Sequence, residues 1–363
     1  MKVLHLTNES VEEQFANGYT LDYKTSYYNP ENVFNEIHLL YHYHETINEQ
    51  KYGWYLHKRS GLPLIREFMM VIDGIKIVKK YDIAIIRGFN NFRCGIIGIL
   101  IKLFTRKPLI ISIHNDYHRL WITKKLPIII RYGLEIAERV SMRFCDEVWV
   151  LTSYLEKYAK DRLARRTWLN PNKVKLNIFN NEPEQTKSDD KFRILFVGRL
   201  DTQKNILTLI DVINELNNDI ELTIVGRNQM DKSVLKRMGP NIKYIEKLDH
   251  DTELPKYMKS VNCACLPSYT EGFGIVLVEF QAAGLPIIAS DIPETKDIVN
   301  HNNALLFNPN KPEELKQCIL KLKNDLNLQQ TLSNKSLESS KKFDWYKLSS
   351  LEAERYKIVV GKQ

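Results

Sequence analysis

Short apolar runs bounded by polar or glycine-containing turns recur along the chain, and stretches of helical periodicity fill the intervals between them. In the second half the runs fall at 192–198, 220–226, 242–245, 262–267, 286–290 and 305–307, with helical patterns at 205–217, 252–260 and 275–283. The first half gives runs at 2–7, 82–87, 109–113, 146–152 and 174–179, with helices predicted at 62–80 and 93–104. Apolar strands alternating with helices imply parallel sheets covered on both faces. The expectation is an α/β chain of two Rossmann-like doubly wound parallel-sheet domains facing across a cleft. The polar stretch 180–190 is the best linker, which divides the chain into domains 1–183 and 184–344, and 345–363 reads as a terminal helix.

One segment resists this pattern. Residues 31–60 are rich in tyrosine and histidine, and His38 and His42 would share one face of a helix. That spacing suits a zinc pair, but a wet helical face with scattered histidines explains it more simply, so no metal site is assigned.

At 363 residues, with 44% apolar side chains, the chain can fill two cores. The net charge is +8; residues 1–185 carry 27 Lys and Arg against 20 Asp and Glu, and the remainder 25 against 24. That excess in the first half is too small, and too bare of recognition motifs, to imply nucleic acid. Five scattered cysteines argue against a disulfide framework and for a reducing, cytoplasmic setting. Residues 117–143 mix Trp121, Ile122 and the apolar run 126–130 with Arg119, Lys124, Lys125, Arg131 and Arg143. Two readings stand: a peripheral contact with an anionic membrane at its inner face, or helices packed on the sheet with a solvated basic rim.

Candidate chemistry gathers in two loops after second-half strands. The first follows 192–198 and holds Gly198, Arg199 and Lys204. A guanidinium fork and an ammonium there could neutralise a diphosphate, at the strand end where open α/β sheets bind ligands. The second loop runs Ser268 to Gly274 and opens a helix at Ile275. Glycines flank its turn, and the first helical turn offers free N–H groups to an anion. Glu271 at the loop tip and Glu279 within the helix could accept from hydroxyls. His114 ends the strand 109–113, either as a hydrogen-bonded structural group or as a site residue.

Glu271, the glycines and Glu279 resemble the paired-glutamate signature of retaining glycosyltransferases of family 4, which have the GT-B fold. The segment from Phe196 to Asn205 is similar to that family's strand, Gly-Arg-Leu and lysine signature. The resemblance is best over about 190–310. It implies a metal-independent, retaining transfer of a hexosyl unit from a nucleotide-diphosphate sugar to a glycan or lipid-linked acceptor, with no further cofactor. Arg199 and Lys204 would bind the donor phosphates, and Glu271 a hydroxyl of the transferred sugar. The backbone of Gly272, Phe273, Gly274 and Ile275 would hold other hydroxyls and phosphate, and Glu279 the ribose. Gly198 and Leu305 would also line the donor site, and His114 would lie near the donor sugar. The terminal helix would cross back to the first domain. The first loop, 8–20, lacks the family's paired glycines, and Ala304 stands where the family has glycine before Leu305. The alternatives are a GT-B epimerase or phosphorylase, or a non-catalytic nucleotide-sugar-binding subunit.

Overall fold

The computed structural model describes residues 1–16, 20–123, 126–180, 191–217 and 219–361. Two units separate: Met1–Pro171 with the residues from Lys347 onward, and Asn172–Tyr346. The expected boundary at 183/184 lies outside the described residues; residues 172–180 pack with the second unit.

The first unit carries eight strands, β1 (Lys2–Leu6), β2 (Glu36–His42), β3 (Ile47–Lys51), β4 (Trp54–Arg59), β5 (Ile85–Gly88), β6 (Leu109–Ile113), β7 (Glu147–Val150) and β8 (Thr167–Leu169). Its helices include α1 (Val11–Ala16), α2 (Leu21–Tyr28), α3 (Pro63–Tyr81), α4 (Arg93–Thr105), α5 (Tyr117–Thr123), α6 (Ile128–Phe144) and α7 (Ser153–Asp161). The sheet order is β3-β4-β2-β1-β5-β6-β7-β8, parallel throughout except for the β3–β4 hairpin. Strands buried on both faces need continuous apolar runs, which is why Leu109–Ile113 is buried at every position.

The segment 31–60 corrects the sequence expectation. It forms β2, β3 and β4, not a wet helical face. Lys51 pairs Trp54 across Tyr52 and Gly53, both at positive φ, the two-residue turn whose twist matches antiparallel strands. His38 is fully buried, its Nδ1 3.1 Å from Nε2 of His57, whose Nδ1 lies 2.8 Å from Oδ1 of Asn48. His42 instead faces Arg93. Among the described residues no group of three or more metal-ligating side chains comes together.

The second unit holds β9 (Phe192–Val197), β10 (Ile220–Val225), β11 (Ile242–Ile245), β12 (Cys263–Leu266), β13 (Ile287–Ser290) and β14 (Leu305–Phe307). They form one parallel sheet in the order β11-β10-β9-β12-β13-β14. Its helices are α8 (Leu176–Phe179), α9 (Ile206–Asn214), α10 (Ser233–Lys236), α11 (Glu253–Lys259), α12 (Ile275–Ala282), α13 (Pro312–Asn324) and α14 (Leu326–Ser340). Residues 174–179, expected as a strand, give a single bridge at Val174 and then α8, whose Phe179 is buried. Four residues cannot show a period, so a short apolar run reads either way.

The last helix, α15 (Trp345–Val360), places Glu352 and Tyr356 in the first unit's core. Arg87 on β5 donates to Glu352 Oε1 at 2.6 Å, to Ser112 Oγ at 2.9 Å and to the Tyr356 hydroxyl. Its guanidinium lies over the rings of Phe89 and Trp149 at 4.7 and 4.6 Å. No described helix is long and apolar enough to cross a membrane.

Candidate active site

The site of the second unit forms where β9 and β12, adjacent in the sheet, deliver their loops at the carboxyl edge. The chain leaves β9 through Gly198, whose N–H bonds the carbonyl of Val225 at 2.9 Å. Gly226, at φ +143°, follows β10 directly beneath that turn, and a Cβ there would collide with the Gly198 carbonyl. The backbone of Leu200 then bonds Arg227 and Gln229, so the Gly-Arg-Leu turn is anchored to the neighbouring strand's loop. Asp201 accepts the Lys204 N–H at 2.9 Å and caps the next turn.

The second loop is tied to the first. Tyr269 N–H donates to the Gln203 carbonyl at 2.9 Å, and Gln203 Nε2 donates to the Thr270 carbonyl at 3.0 Å. The clasp brings Lys204 and Glu271 together: Nζ lies 2.6 and 2.8 Å from the two carboxylate oxygens, and Ser268 Oγ donates to Oε1 at 2.6 Å. Their side chains are 13% and 5% exposed. A buried pair of this kind is held by geometry and by its extra hydrogen bond, and loss of either partner strands the other charge. Arg199, by contrast, has a half-exposed guanidinium, 3.1 Å from Asp201. The loop thus presents one half-exposed guanidinium paired with Asp201 and one buried ammonium clamped to Glu271.

Gly274 takes φ +83° and begins α12 without a side-chain cap, so the first-turn N–H groups point into the loop region. Phe273 turns inward, edge-on to Phe343. From Val276 to Ala282 every residue of α12 is buried, so its polar side chains need partners. Gln281 donates to the Ile298 carbonyl at 2.8 Å, and Glu279 Oε1 lies 3.0 Å from His250 Nε2.

Of the residues expected from sequence, the structure therefore gathers Gly198, Arg199, Lys204, Glu271, Gly272, Phe273, Gly274, Ile275 and Glu279 on adjoining elements of one unit. Leu305 sits apart, opening the edge strand β14 and paired with Ile288, two strands from β12. His114 belongs to the first unit. It follows β6, stacks on Phe89 at 6.2 Å, and its pKa is lowered to about 4 by burial first, then by Arg87 and Lys24. A neutral imidazole results at pH 7, able to give or take a hydrogen bond but not to act as a cation. Asp116 accepts from Tyr154 at 2.6 Å and caps Arg119, a structural assignment. Sequence reasoning missed Ser268, Gln203 and His250 as partners. The first two lie inside the motifs, whereas His250 carries no local signal.

Two parallel-sheet α/β units are the architecture of the GT-B fold. Residues 177–338 match the family model described as glycosyl transferases group 1. An uncharacterized glycosyltransferase of Methanocaldococcus jannaschii is 29% identical over 320 residues, 86% of this chain and 87% of that protein. The capsular polysaccharide biosynthesis glycosyltransferase CapM of Staphylococcus aureus is 25% identical over 288 residues, 71% and 74% of the two chains. The Anabaena protein HepE in complex with UDP superposes with a TM-score of 0.78 at 17% identity, covering 98% of this chain and 100% of that one. The chain is thus similar in sequence to family-4-like glycosyltransferases and shares the GT-B fold of the solved structures.

Proposed function

We propose that this protein is a retaining, metal-independent glycosyltransferase that moves a hexosyl unit from a nucleotide-diphosphate sugar to a glycan or lipid-linked acceptor. The observation that carries the reading is the Lys204–Glu271 clasp, which sets an ammonium and a carboxylate side by side at the carboxyl edge of a parallel sheet. An ammonium has three donors, so Lys204 can hold Glu271 and still reach a phosphate oxygen. Glu271 keeps lone pairs for a sugar hydroxyl, and Arg199 adds a second cation. As the bond from the sugar's anomeric carbon to the phosphate oxygen breaks, charge grows on the leaving diphosphate. Arg199, Lys204 and the first turn of α12 are aimed to stabilise it. The acceptor oxygen bonds the anomeric carbon from the same face, and its proton passes to the departing phosphate. A nucleophilic role for Glu271 with Glu279 as acid is disfavoured, since both belong to one loop and helix rather than flanking a sugar.

The acceptor side draws support from two helix starts in the first unit. Residues 61–65 (Gly-Leu-Pro-Leu-Ile) and 127–130 (Pro-Ile-Ile-Ile) are exposed at every position; Leu64 reaches 87% and Ile129 81%. Neither start has a side-chain cap or an acidic residue in its first turn. Glu67 of α3 bonds Arg93 at the start of α4, and Glu138 of α6 bonds Asn91 just before it. The first turns of α3 and α6 therefore both extend past the start of α4, at the end of the sheet where the parallel strands finish. Exposed apolar prongs of this kind suit the headgroup region of a membrane, where a lipid-linked acceptor would be met. CapM, by its name, works in polysaccharide biosynthesis, which is the process proposed for this chain as well.

The test is release of nucleoside diphosphate from UDP-, GDP- and ADP-sugars, with and without EDTA, beside Glu271→Ala and Lys204→Ala. Release from one donor, indifferent to EDTA and lost in both variants, is expected. Release abolished by EDTA would refute the metal-free mechanism.

A further inference from the structure

The loop between β11 and α11 contains a side chain that neither motif includes. His250 is held at both ring nitrogens by carboxylates: Nε2 lies 3.0 Å from Glu279 Oε1, and Nδ1 lies 2.6 Å from Asp251 Oδ1. The ring of Phe179, from α8, meets it edge-to-face with centroids 5.6 Å apart. Three separate elements therefore fix one imidazole. Its outer side is open, with 53% of the side chain exposed, while Glu279 is 8% exposed. Glu279 is the carboxylate of a helix buried on every side, so it can reach outward in few directions, and the imidazole occupies one of them.

We propose that His250 is a positioning residue for donor binding, fixing the Glu279 carboxylate so that its remaining lone pairs meet the ribose hydroxyls of the nucleotide. The inference rests on reading the second unit as a nucleotide-sugar site. A carboxylate offers about four acceptor positions. With Oε1 committed to Nε2–H, the other oxygen keeps a fixed direction for a neighbouring pair of hydroxyls. Without the imidazole, the carboxylate would turn among several positions, and ordering it would be charged against binding.

The charged groups facing the ring are Glu279 from α12 and Asp251 from its own loop, with Asp249 beside it in that loop; Phe179 brings no charge. Burial opposes the imidazolium, but the hydrogen bonds and charges of Glu279 and Asp251 outweigh it and raise the pKa to about 9. At neutral pH the ring therefore donates from both nitrogens, which a neutral tautomer cannot do.

The experiment is calorimetric binding of UDP, GDP and ADP and of their 2′-deoxy counterparts to the whole protein, in the wild type, His250→Ala and His250→Gln. The wild type should prefer the ribonucleotide, and His250→Ala should lose about tenfold in ribonucleotide affinity and less in that of the deoxynucleotide, which keeps only the 3′ hydroxyl of the pair. His250→Gln, which keeps a neutral N–H donor, should recover part of the loss. Wild-type affinity should fall as pH rises past 9, and that step should vanish in His250→Gln. In turnover the donor KM should rise in His250→Ala with kcat little changed. Equal weakening for ribo- and deoxynucleotides would overturn the proposal, as would unchanged binding in His250→Ala. A wild type that binds none of the diphosphates would overturn the parent reading too, whereas binding with unchanged variants removes His250 alone.

Discussion

The two units end their strands in opposite ways. In the second, the carboxyl edge presents charge: a clamped lysine and glutamate, an exposed arginine and an uncapped helix start. In the first, the corresponding edge has Phe89 stacked on a histidine kept neutral, and a charge pair, Arg87 with Glu352, is sunk in the core. The Lys204–Glu271 pair joins loops 67 residues apart, while Arg87 and Glu352 are 265 apart. The lesson is one of purpose. A diphosphate requires cations that stay near the surface of the site, whereas the first unit uses its cation to dock a terminal helix.

The largest effect should come from breaking the buried pair of the first unit. Glu352→Ala leaves the Arg87 guanidinium without its carboxylate at 3–4% exposure, and such a loss costs about 3–5 kcal/mol. Denaturant unfolding should show it as a lowered midpoint, and an unchanged midpoint would mean that α15 is not held by this pair. Lys204→Ala should act on both stability and rate: it strands the buried Glu271 carboxylate, and it should lower kcat by about 10²–10³-fold as a removed transition-state donor does. A comparable fall in stability with little change in kcat would reverse the contrast between the units.

The pH response sharpens the comparison further. His5 and His57 have pKa values lowered to about 3 and His114 to about 4, burial being the first cause in each. Their folded values lie below the unfolded value near 6.5, so the stability they contribute is present above that pH and is lost as pH falls towards 3–4. His5 and His57, both buried, should each add a slope of up to about 1.4 kcal/mol per pH unit in that window, and the half-buried His114 less. His250 has the opposite sign: its contribution is present below 6.5 and lost as pH rises through 9, and its exposure makes it smaller. Unfolding measured from pH 4 to 10 should thus show a steep acid limb set by the first unit and a shallow alkaline one from the second. A flat acid limb would remove the buried-histidine account.

The smallest change in stability is expected at the exposed helix starts. Leu64→Asp and Ile129→Asp should move the unfolding free energy by no more than about 0.5 kcal/mol, because both side chains face solvent. The same variants should lose sedimentation with phosphatidylglycerol vesicles. Retained vesicle binding would leave these faces as a basic rim with no membrane role.

The sequence by itself determined the elements whose signal is local. The second unit's strands match the expected runs to within a residue at either end, because buried parallel strands are continuous apolar runs between turn residues. Its loops were legible too, since glycine, arginine, lysine and glutamate at fixed offsets carry their chemistry along the chain. The β2–β4 region was not, because histidines at a four-residue spacing fit a helix face and a strand face equally well. Only the tertiary structure could decide that Arg87 faces Glu352, that Lys204 and Glu271 are one ion pair, and that His250 holds Glu279. Partners in a folded chain are chosen by which strand ends and helix faces converge, and sequence periodicity reports the face of each element but not what it meets.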